Sequence, residues 1–518
     1  MIAVSDAWKN AQPRFILPET FVEITCAITE TGAQKQATSS GENEAVFSDV
    51  EVVAGNRDVT ATPKYATFEH NLWALDGSRG LLPAEGPYVN TGYVSADASI
   101  GKVTLTLSEP RTVAIAGITI VWSTEFEEYP LRFAVTVKNG DTVIGSTLIE
   151  DNASSTSLVD LEVNNYDTVE VEVYDWCLPN RRFRVERVYL GHIMTFTKND
   201  IFSYTHEQTG SLNSAELPKN SISFTVNNID GRWNPNNPQG LARYLSERQR
   251  VTVRYGLDLD GTIEWIPAGV FYLSEWTAPA NGLEASFVAR DRLEFLLYEQ
   301  FGDIVEGASL ESIVKLACLD SAVVSAPDVL KVDPSLRNYT ASVDLSHTKA
   351  EVIQMCANAA CCVIRYDRDG VLNVEPLKKV ASDYVIPTAL SYSHPETSLS
   401  RPLRAVTVSY GEAGAVTLSV GASGELQTVV NPFISDEEQA IAVGLWVRDT
   451  LEPRKTIGGE FRGDPRLDLF DIVEVQSKYG SIFPVVIESI TYNYTGSFKA
   501  NYVGRVIYDE SIVAASEV

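Results

Sequence analysis

Apolar and polar residues alternate along much of the chain, with a period of two. Between residues 221 and 226, Ile222, Phe224 and Val226 alternate with serine and threonine, a pattern that predicts a half-buried strand. Asn, Pro and Gly dominate residues 227–240, which predicts a long turn. A second strand is expected at residues 251–255, after the amphipathic segment 241–249. Nothing in this stretch is chemically reactive, so we interpret it as scaffold.

A dense series of strand signals lies between residues 46 and 192. Its clearest runs are at residues 103–107, 113–122, 133–137, 142–144, 158–163, 169–174 and 185–190. So many short strands in one segment predict a β-sandwich. A single strand signal at residues 21–29 precedes it, followed by a polar linker at 31–45. Because one strand cannot fold alone, we expect residues 21–29 to pair with residues 201–206, which would make the sandwich an insertion into another domain.

Helical periodicity is confined to a few segments. Residues 309–319 and 347–362 show it, and a hairpin turn is expected at 367–370, which together predict a small α+β domain. Alternation returns after residue 381, interrupted by one helix at 436–451, for which Ser435 and Glu438 predict a capping box. The predicted fold class is therefore mainly β, with segment boundaries at 1–45, 46–194, 195–300, 301–380 and 381–518.

Net charge limits the classes of binding partner, and cysteine usage indicates the compartment in which the chain folds. The chain has 41 basic and 69 acidic residues, a net charge of −28, which disfavours stable binding to nucleic acid or to an anionic membrane. The six cysteines form no C-x-x-C pair, which indicates folding in a reducing compartment. We expect no signal peptide, because the N-terminus lacks a basic region followed by an apolar run. We expect no membrane insertion, because no apolar run approaches eighteen residues.

The sequence shows no catalytic or metal-binding motif. The five histidines are scattered, so no metal site is predicted. Two acidic turns, at 258–261 and 367–370, would need a carboxylate where Pro267 and Pro376 stand if they were calcium loops, so both are interpreted as hairpin turns. Glu125, Glu127 and Glu128 form an acidic cluster that we interpret as a solvated loop. No catalytic residue and no cofactor is predicted.

Two groups of aromatic and basic residues are candidates for binding. Large aromatic side chains in the sandwich segment are candidates for a glycan-facing surface, with core packing as the alternative; they are Trp73, Tyr88, Tyr93 and Trp122. Arg232 and Trp233 are candidates for a subunit interface, because arginine and tryptophan are enriched at such contacts. The alternative is that Trp233 fills the core of its own domain while asparagines cap the turn.

The sandwich segment resembles the galactose-binding, discoidin-like jelly roll. The resemblance rests on YATFEHNLWALDGS at 65–78, GITIVWS at 117–123 and RRFRVERVYLG at 181–191. It implies that residues 46–194 form an inserted jelly-roll β-sandwich. Some members of that family hold a structural calcium, but no residue here identifies its ligands.

Most of residues 195–518 resemble the tail hub, or baseplate hub, proteins of tailed bacteriophages. The similar segments are 198–256, which contains SISFTVNNIDGRWNPNNPQG, and the C-terminal segments 431–455 and 463–475. Such hubs are trimeric rings that continue the tail tube. The resemblance implies two tail-tube-like β domains, at 195–300 with the strand of 1–45 and at 381–518, with the α+β domain between them.

The hub resemblance also implies a location and partners. We expect a homotrimer without catalysis at the tail tip of a virion, assembled in the host cytoplasm, through which DNA passes without stable binding. The expected neighbours are a distal tail or tail tube protein, a tape measure protein and other tail-tip or fibre proteins. The alternative is a carbohydrate-binding adhesin that recognises host surface glycan through the sandwich. A polysaccharide-degrading enzyme is a third option, favoured only by scattered carboxylates.

Overall fold

A computed structural model describes the chain over residues 1–14, 16–42, 101–124, 127–178, 183–279, 282–302, 304–319, 330–344, 346–378, 380–411, 413–507 and 513–514. The chain forms two compact units. The first comprises residues 1–25, 195–234 and 250–518, and the second comprises residues 26–194 and 235–249. Strands dominate both units, which confirms the prediction of a mainly β protein. No helix in the described ranges is long and apolar enough to cross a membrane.

The described elements of the first two hundred residues are mostly strands. In chain order they are α1 (Asp6–Ala11), β1 (Thr20–Thr29), α2 (Thr31–Gln36), β2 (Thr38–Glu42), β3 (Gly101–Arg111), β4 (Ile115–Val121), β5 (Pro130–Asn139), β6 (Thr142–Ile149), β7 (Thr156–Val163), β8 (Tyr166–Trp176), β9 (Arg187–Tyr189) and β10 (Gly191–Phe196).

The rest of the chain contains longer strands and the longer helices. The elements are β11 (Ile201–Thr209), β12 (Lys219–Asn227), β13 (Arg250–Leu259), β14 (Thr262–Thr277), β15 (Glu284–Arg290), α3 (Arg292–Leu296), β16 (Val305–Ser309), α4 (Leu310–Leu319), β17 (Leu330–Val332), β18 (Thr340–Val343), α5 (Lys349–Ala359), β19 (Val363–Tyr366), β20 (Leu372–Glu375), β21 (Val380–Ile386), β22 (Glu396–Leu399), β23 (Leu403–Tyr410), β24 (Gly414–Ser419), β25 (Glu425–Val429), α6 (Glu437–Leu451), β26 (Lys455–Phe461), β27 (Ile472–Gln476), β28 (Ile482–Tyr494), β29 (Phe498–Val506) and β30 (Val513–Ala514).

The second unit is a β-sandwich. One sheet has the strand order β2-β3-β8-β5-β6 and the other has β7-β4-β9. Apolar residues from both sheets share one core, in which Trp122, Phe133 and Val171 are fully buried. The seven strand runs predicted between residues 103 and 190 correspond to β3 to β9. Residues 235–249, which we assigned by sequence to the neighbouring β domain, belong to this unit.

The first β domain of the other unit has the strand order β1-β13-β14-β15-β12-β11, in which β1 contributes residues 20–25. The strand predicted at 21–29 is present as β1, but its predicted pairing with residues 201–206 is wrong. Those residues lie in β11, whose two edges are occupied by β12 and β28. The side chains of Ile222, Phe224 and Val226 on β12 are buried, as their alternation predicts.

The second β domain continues the same sheet. It branches at β28, which pairs with β27 on one edge and with β29 on the other, and β29 leads to β26 and β22. The two domains are joined where residues Tyr204–Thr209 of β11 run antiparallel to Ser489–Tyr494 of β28. We call this pairing the seam.

The helical part is larger than the sequence predicts. Helices α4 and α5 and the hairpin β19–β20 lie where they were expected, but α6 packs into the same core. Ala440, Val443 and Val447 of α6 are buried there, together with Val408 of β23 and Ile353 of α5. The sheet β24-β23-β25 and α6 therefore pack with the helical part rather than only interrupting the second β domain.

The helix caps also differ from the prediction. Helix α6 is capped by Asp436, whose side chain accepts the N–H of Gln439, and not by the predicted box of Ser435 and Glu438. A capping box does occur at α5, where Thr348 and Glu351 accept each other's backbone N–H groups. Ser435 and Asp436 are adjacent, and both residue types are favoured at helix N-caps, so the sequence pattern alone did not decide which of them caps α6.

Candidate functional site

Trp233 fills the core of its own β domain. It is 2% exposed, and its ring lies 5.4 Å from Phe287 and 5.8 Å from Phe196, measured between ring centroids. Its backbone N–H donates to Asn228 Oδ1 at 2.9 Å. The turn needs Gly231, which has φ +68°. The structure therefore places Trp233 as the anchor that holds this turn to the domain.

Arg232 points away from that core. Its guanidinium lies 2.5 Å from Asp230 in an ion pair in which both side chains are nearly half exposed. The hydrogen bond from Arg232 lowers the pKa of the Asp230 carboxyl. Such an exposed pair contributes about 0–1 kcal/mol to stability. Arg232 could therefore exchange Asp230 for a partner on another surface at little cost in stability. A subunit contact through Arg232 stays a prediction.

Of the four aromatic residues proposed to face glycan, only Trp122 lies among the described residues. Trp122 is fully buried in the sandwich core, where its indole N–H donates to Ser157 Oγ at 2.8 Å and its ring lies 5.1 Å from Phe133. A ring in that position has no face available to a sugar, so for Trp122 the core-packing alternative is correct. Trp73, Tyr88 and Tyr93 lie outside the described residues.

A shared aromatic cluster fills the space behind the seam. The ring of Tyr255 on β13 lies 4.9 Å from Phe498 and 6.0 Å from Tyr492, both in the second β domain. Tyr494 donates its hydroxyl to the carbonyl of Thr20 on β1 at 2.9 Å. The two β domains therefore share one core in addition to one sheet.

Arg368 belongs to the helical part and contacts both β domains, and we call this three-way contact the junction. Arg368 sits in the turn of the hairpin β19–β20, is 3% exposed, and donates to the carbonyl oxygens of Pro267 at 3.2 Å and Pro465 at 2.6 Å, and also to that of Leu467. The hairpin approaches β14 so closely that a Cβ on Gly370 would lie 2.9 Å from a side-chain atom of Val270, and Gly370 has φ +81°. One guanidinium thus connects the α+β part with both β domains.

The buried segment 463–471 explains why the junction needs an arginine. Its carbonyls are outside any strand ladder, and buried carbonyls require donors. Tyr492 Oη lies 2.8 Å from the carbonyls of Asp464 and Leu467, and Arg368 donates to those of Pro465 and Leu467. Backbone N–H groups donate to other carbonyls of the segment, as Ile2 does to that of Arg466. Burial opposes ionisation of Asp468, but Arg368 at 3.8 Å and the amide of Gln208 at 2.8 Å hold the pKa of that carboxyl below its ordinary value.

His206 extends the buried network along β11. Its Nε2 lies 2.8 Å from Asn220 Oδ1, an acceptor, so Nε2 carries the proton and Nδ1 accepts from Tyr255 Oη at 2.8 Å. Tyr255 Oη lies 2.9 Å from Tyr204 Oη. Burial lowers the pKa of His206 to about 4, so this imidazole is neutral at pH 7. Sequence reasoning missed both His206 and Arg368, since neither stands in a motif.

Three exposed apolar side chains lie at one end of the first β domain. Phe202, Ile229 and Leu283 are 47%, 74% and 61% exposed. The backbone segments that carry them lie close together, because the N–H of Asn228 donates to the carbonyl of Leu283 at 2.6 Å and the N–H of Asn227 to that of Asp200 at 2.8 Å. Ile229 belongs to the turn that Trp233 anchors. We call these three residues the end cluster.

The acidic turns are hairpin turns, as predicted. Asp260 and Gly261 both have positive φ between β13 and β14, and Asp367 accepts the N–H groups of Asp369 and Val371 between β19 and β20. Over the ranges that the structure describes, no group of three His, Cys, Asp or Glu residues is placed to hold a metal ion. Burial raises the pKa of the adjacent thiols Cys361 and Cys362 to about 12, which keeps them protonated at neutral pH.

Comparisons with known proteins give structural matches only. No family model matches the chain, and no curated protein matches it. Among solved structures, the chain is similar to the 43 kDa tail protein of prophage MuSo2 from Shewanella oneidensis (12% identity, TM-score 0.44, 61% of this chain and 96% of that one). It is similar to the tail protein from Neisseria meningitidis MC58 (12%, 0.42, 61% and 93%). It is also similar to a chain in the virion of a native gene transfer agent particle (14%, 0.31, 82% and 83%).

Proposed function

We propose that this chain is a structural, non-catalytic subunit of a phage tail tip. Three copies form a hub ring that continues the tail tube, anchors neighbouring tail-tip proteins and lets DNA pass. The neighbours in this proposal are a distal tail or tail tube protein, the tape measure protein and fibre proteins. The proposal places the chain in the virion.

The seam is the observation that carries this proposal. Two β domains of one chain are hydrogen-bonded into one sheet and share one aromatic core. Three such chains would place six β domains around a common axis, with alternate contacts within and between chains. A ring of this kind needs rigid domain pairs, and the contacts of Arg368 supply that rigidity. The net charge of −28 supports passage of DNA without its retention.

The end cluster supports a contact along the axis of the ring. If neighbouring β domains meet side by side through their strands, the ends of the strands face the next layer of the tail. Contiguous exposed apolar side chains at a protein surface are frequently contact sites. In this proposal Trp233 does not touch the partner; it anchors the turn that presents Ile229, with Arg232 at the rim.

The mass and symmetry of the assembled chain test the ring. We expect native mass spectrometry to give three times the chain mass of 56.8 kDa, and image averages to show threefold symmetry with six β domains. A chain that is strictly monomeric both in solution and in assembled particles would contradict the proposal.

Matched variants test the end cluster separately. Ile229→Asp should leave the trimer intact and prevent its incorporation into tails, because a buried unpaired charge is costly at an interface. Ile304→Asp changes an equally exposed residue, 70% against 74%, outside the end cluster, and should be incorporated normally. Equal incorporation of both variants would remove the end cluster from the proposal. Binding of the full chain to a glycan array would instead favour the adhesin alternative.

A further inference from the structure

We infer that a groove beside β25 binds an extended, largely uncharged peptide segment of a partner protein as an added β-strand. The groove encloses about 440 Å³ and is formed by residues 427–432, one face of α5 and the loop 213–215. The inference goes beyond the proposed ring and does not depend on it.

One wall of the groove is an unpaired strand edge. β25 is the last strand of the sheet β24-β23-β25. The N–H of Glu425 donates to the carbonyl of Pro402 on the side of β23. Because direction alternates along a strand, residues 426, 428 and 430 turn their N–H and C=O groups away from β23. No residue in the described ranges pairs with that edge.

The edge also lacks the features that normally block strand addition. Residues 426–430 are Leu, Gln, Thr, Val and Val, with no charge and no proline. Leu426 and Val430 are 52% and 77% exposed. Proteins usually protect an edge strand with lysine, proline or a bulge. An unprotected edge beside a groove indicates a site for β-strand addition.

The opposite wall is a helix face held in place by carboxamides. Glu351, Gln354, Met355 and Asn358 share one face of α5 and line the groove. Gln354 Nε2 donates to the carbonyl of Ala215 at 2.7 Å, which fixes the floor of the groove to the helix.

A second set of contacts fixes the strand side. Asn358 Nδ2 donates to the carbonyl of Asn213 at 2.9 Å, and Asn431 Nδ2 donates to the carbonyl of Met355 at 2.8 Å and to Asn358 Oδ1 at 3.0 Å. Asn431 directly follows the free edge. The groove is therefore formed before any ligand arrives, which lowers the ordering cost of binding.

The chemistry of the lining selects the ligand. His347 and Glu351 are the lining residues with titratable side chains, and Glu351 Oε2 already accepts the N–H of Thr348 at 2.8 Å. The remaining side chains are carboxamides, hydroxyls and apolar groups, the last from Ala215, Met355, Val429, Val430 and Pro432. Backbone groups of an extended peptide match the outward N–H and C=O groups of the edge, while its side chains meet a lining without free charge apart from His347 and Glu351. A highly charged ligand would lose hydration without gaining partners.

A randomised library of twelve-residue peptides, displayed and selected against the full-length protein, tests the inference. We expect selection of peptides that slow hydrogen exchange at the amides of Leu426, Thr428 and Val430. Thr428→Pro removes one outward N–H and should weaken binding at least tenfold. Thr428→Val removes the same hydroxyl but keeps the N–H, and should bind like the original protein.

Several results of this selection would overturn the inference. Selection of no peptide, or equal binding by Thr428→Pro and Thr428→Val, would overturn the inference. Peptides that leave the exchange of the β25 amides unchanged bind elsewhere and would also overturn it. Unchanged exchange of α5 and β23 amides in free Thr428→Pro shows that the variant is folded, so weakened binding then reports on the edge.

Discussion

Replacing Arg368 by methionine should loosen the junction between the helical part and the two β domains. Methionine keeps much of the buried stem but removes all donors. The carbonyl of Pro465 would lose its donor at 2.6 Å, and Asp468 would lose the cation at 3.8 Å, while Leu467 would keep Tyr492. Breaking a buried ion pair from one side costs about 3–5 kcal/mol. The segment 463–471 should therefore open far more readily.

Hydrogen exchange measures this opening directly. The N–H of Leu467 is held by the carbonyl of Asp464, and that of Phe470 by the carbonyl of Ile487. At 1.4 kcal/mol for each factor of ten, a loss of about 4 kcal/mol lowers the protection of these amides by about a thousandfold, provided that they exchange through local opening. Peptides covering residues 463–476 should show the change by mass spectrometry.

Arg365→Met is the matched control. Arg365 is on the same hairpin and lies 3.9 Å from Asp468, about as near as Arg368. Its side chain is 26% exposed, however, and its guanidinium donates to Glu375 at 3.5 Å rather than to a carbonyl of segment 463–471. A pair of this kind is worth about 0–1 kcal/mol, so protection should fall by at most about fivefold. Equal losses in the two variants would refute the reasoning, because water would then be replacing the guanidinium.

Three further changes test a core aromatic residue, a buried histidine and a helix cap. Trp233→Ala should destabilise the first β domain by about 3–5 kcal/mol, measured by exchange of β12 and β15 amides, whereas Ile229→Ala should change it by less than about 1 kcal/mol. His206→Gln should remove part of the acid sensitivity. The pKa of His206 is about 4 in the folded protein and about 6.5 in the unfolded chain, so between pH 7 and pH 5 the unfolded chain takes up a proton that the folded protein does not. This uptake makes the free energy of unfolding of the original protein about 2 kcal/mol lower at pH 5 than at pH 7. Parallel pH profiles of the two proteins would contradict this. Thr348→Ala should cost α5 about 1 kcal/mol, seen as faster exchange in its first turn.

Local pattern was enough to locate most strands and the longer helices, because period and burial are properties of neighbouring residues. Pairing was harder to predict. The alternation in residues 21–29 shows that a strand exists and which side is buried, but it carries no information about which strand it meets. In the structure β1 pairs with β13, whereas residues 204–206 pair with β28.

The candidate site was less predictable than the fold. Arg368 stands in a D-R-D-G turn, where an arginine would ordinarily be solvated; burial follows only from the segment 463–471, almost a hundred residues later. The sequence was compatible with Trp233 either at a subunit interface or in the core of its own domain, since both environments favour tryptophan. Three-dimensional contacts with Phe196 and Phe287 decide between the two.

The polar groups at the junction explain how the two β domains keep one register. An apolar core tolerates small slides between packed sheets, because hydrophobic contact is not directional. The seam pairs Tyr204 with Tyr494, and a shift by one residue would turn Tyr204 and His206 out of the core. Arg368 adds a second constraint, since its donors meet carbonyls of both domains in only one arrangement. The directional contacts of this junction therefore fix the orientation of the two β domains as well as stabilising them.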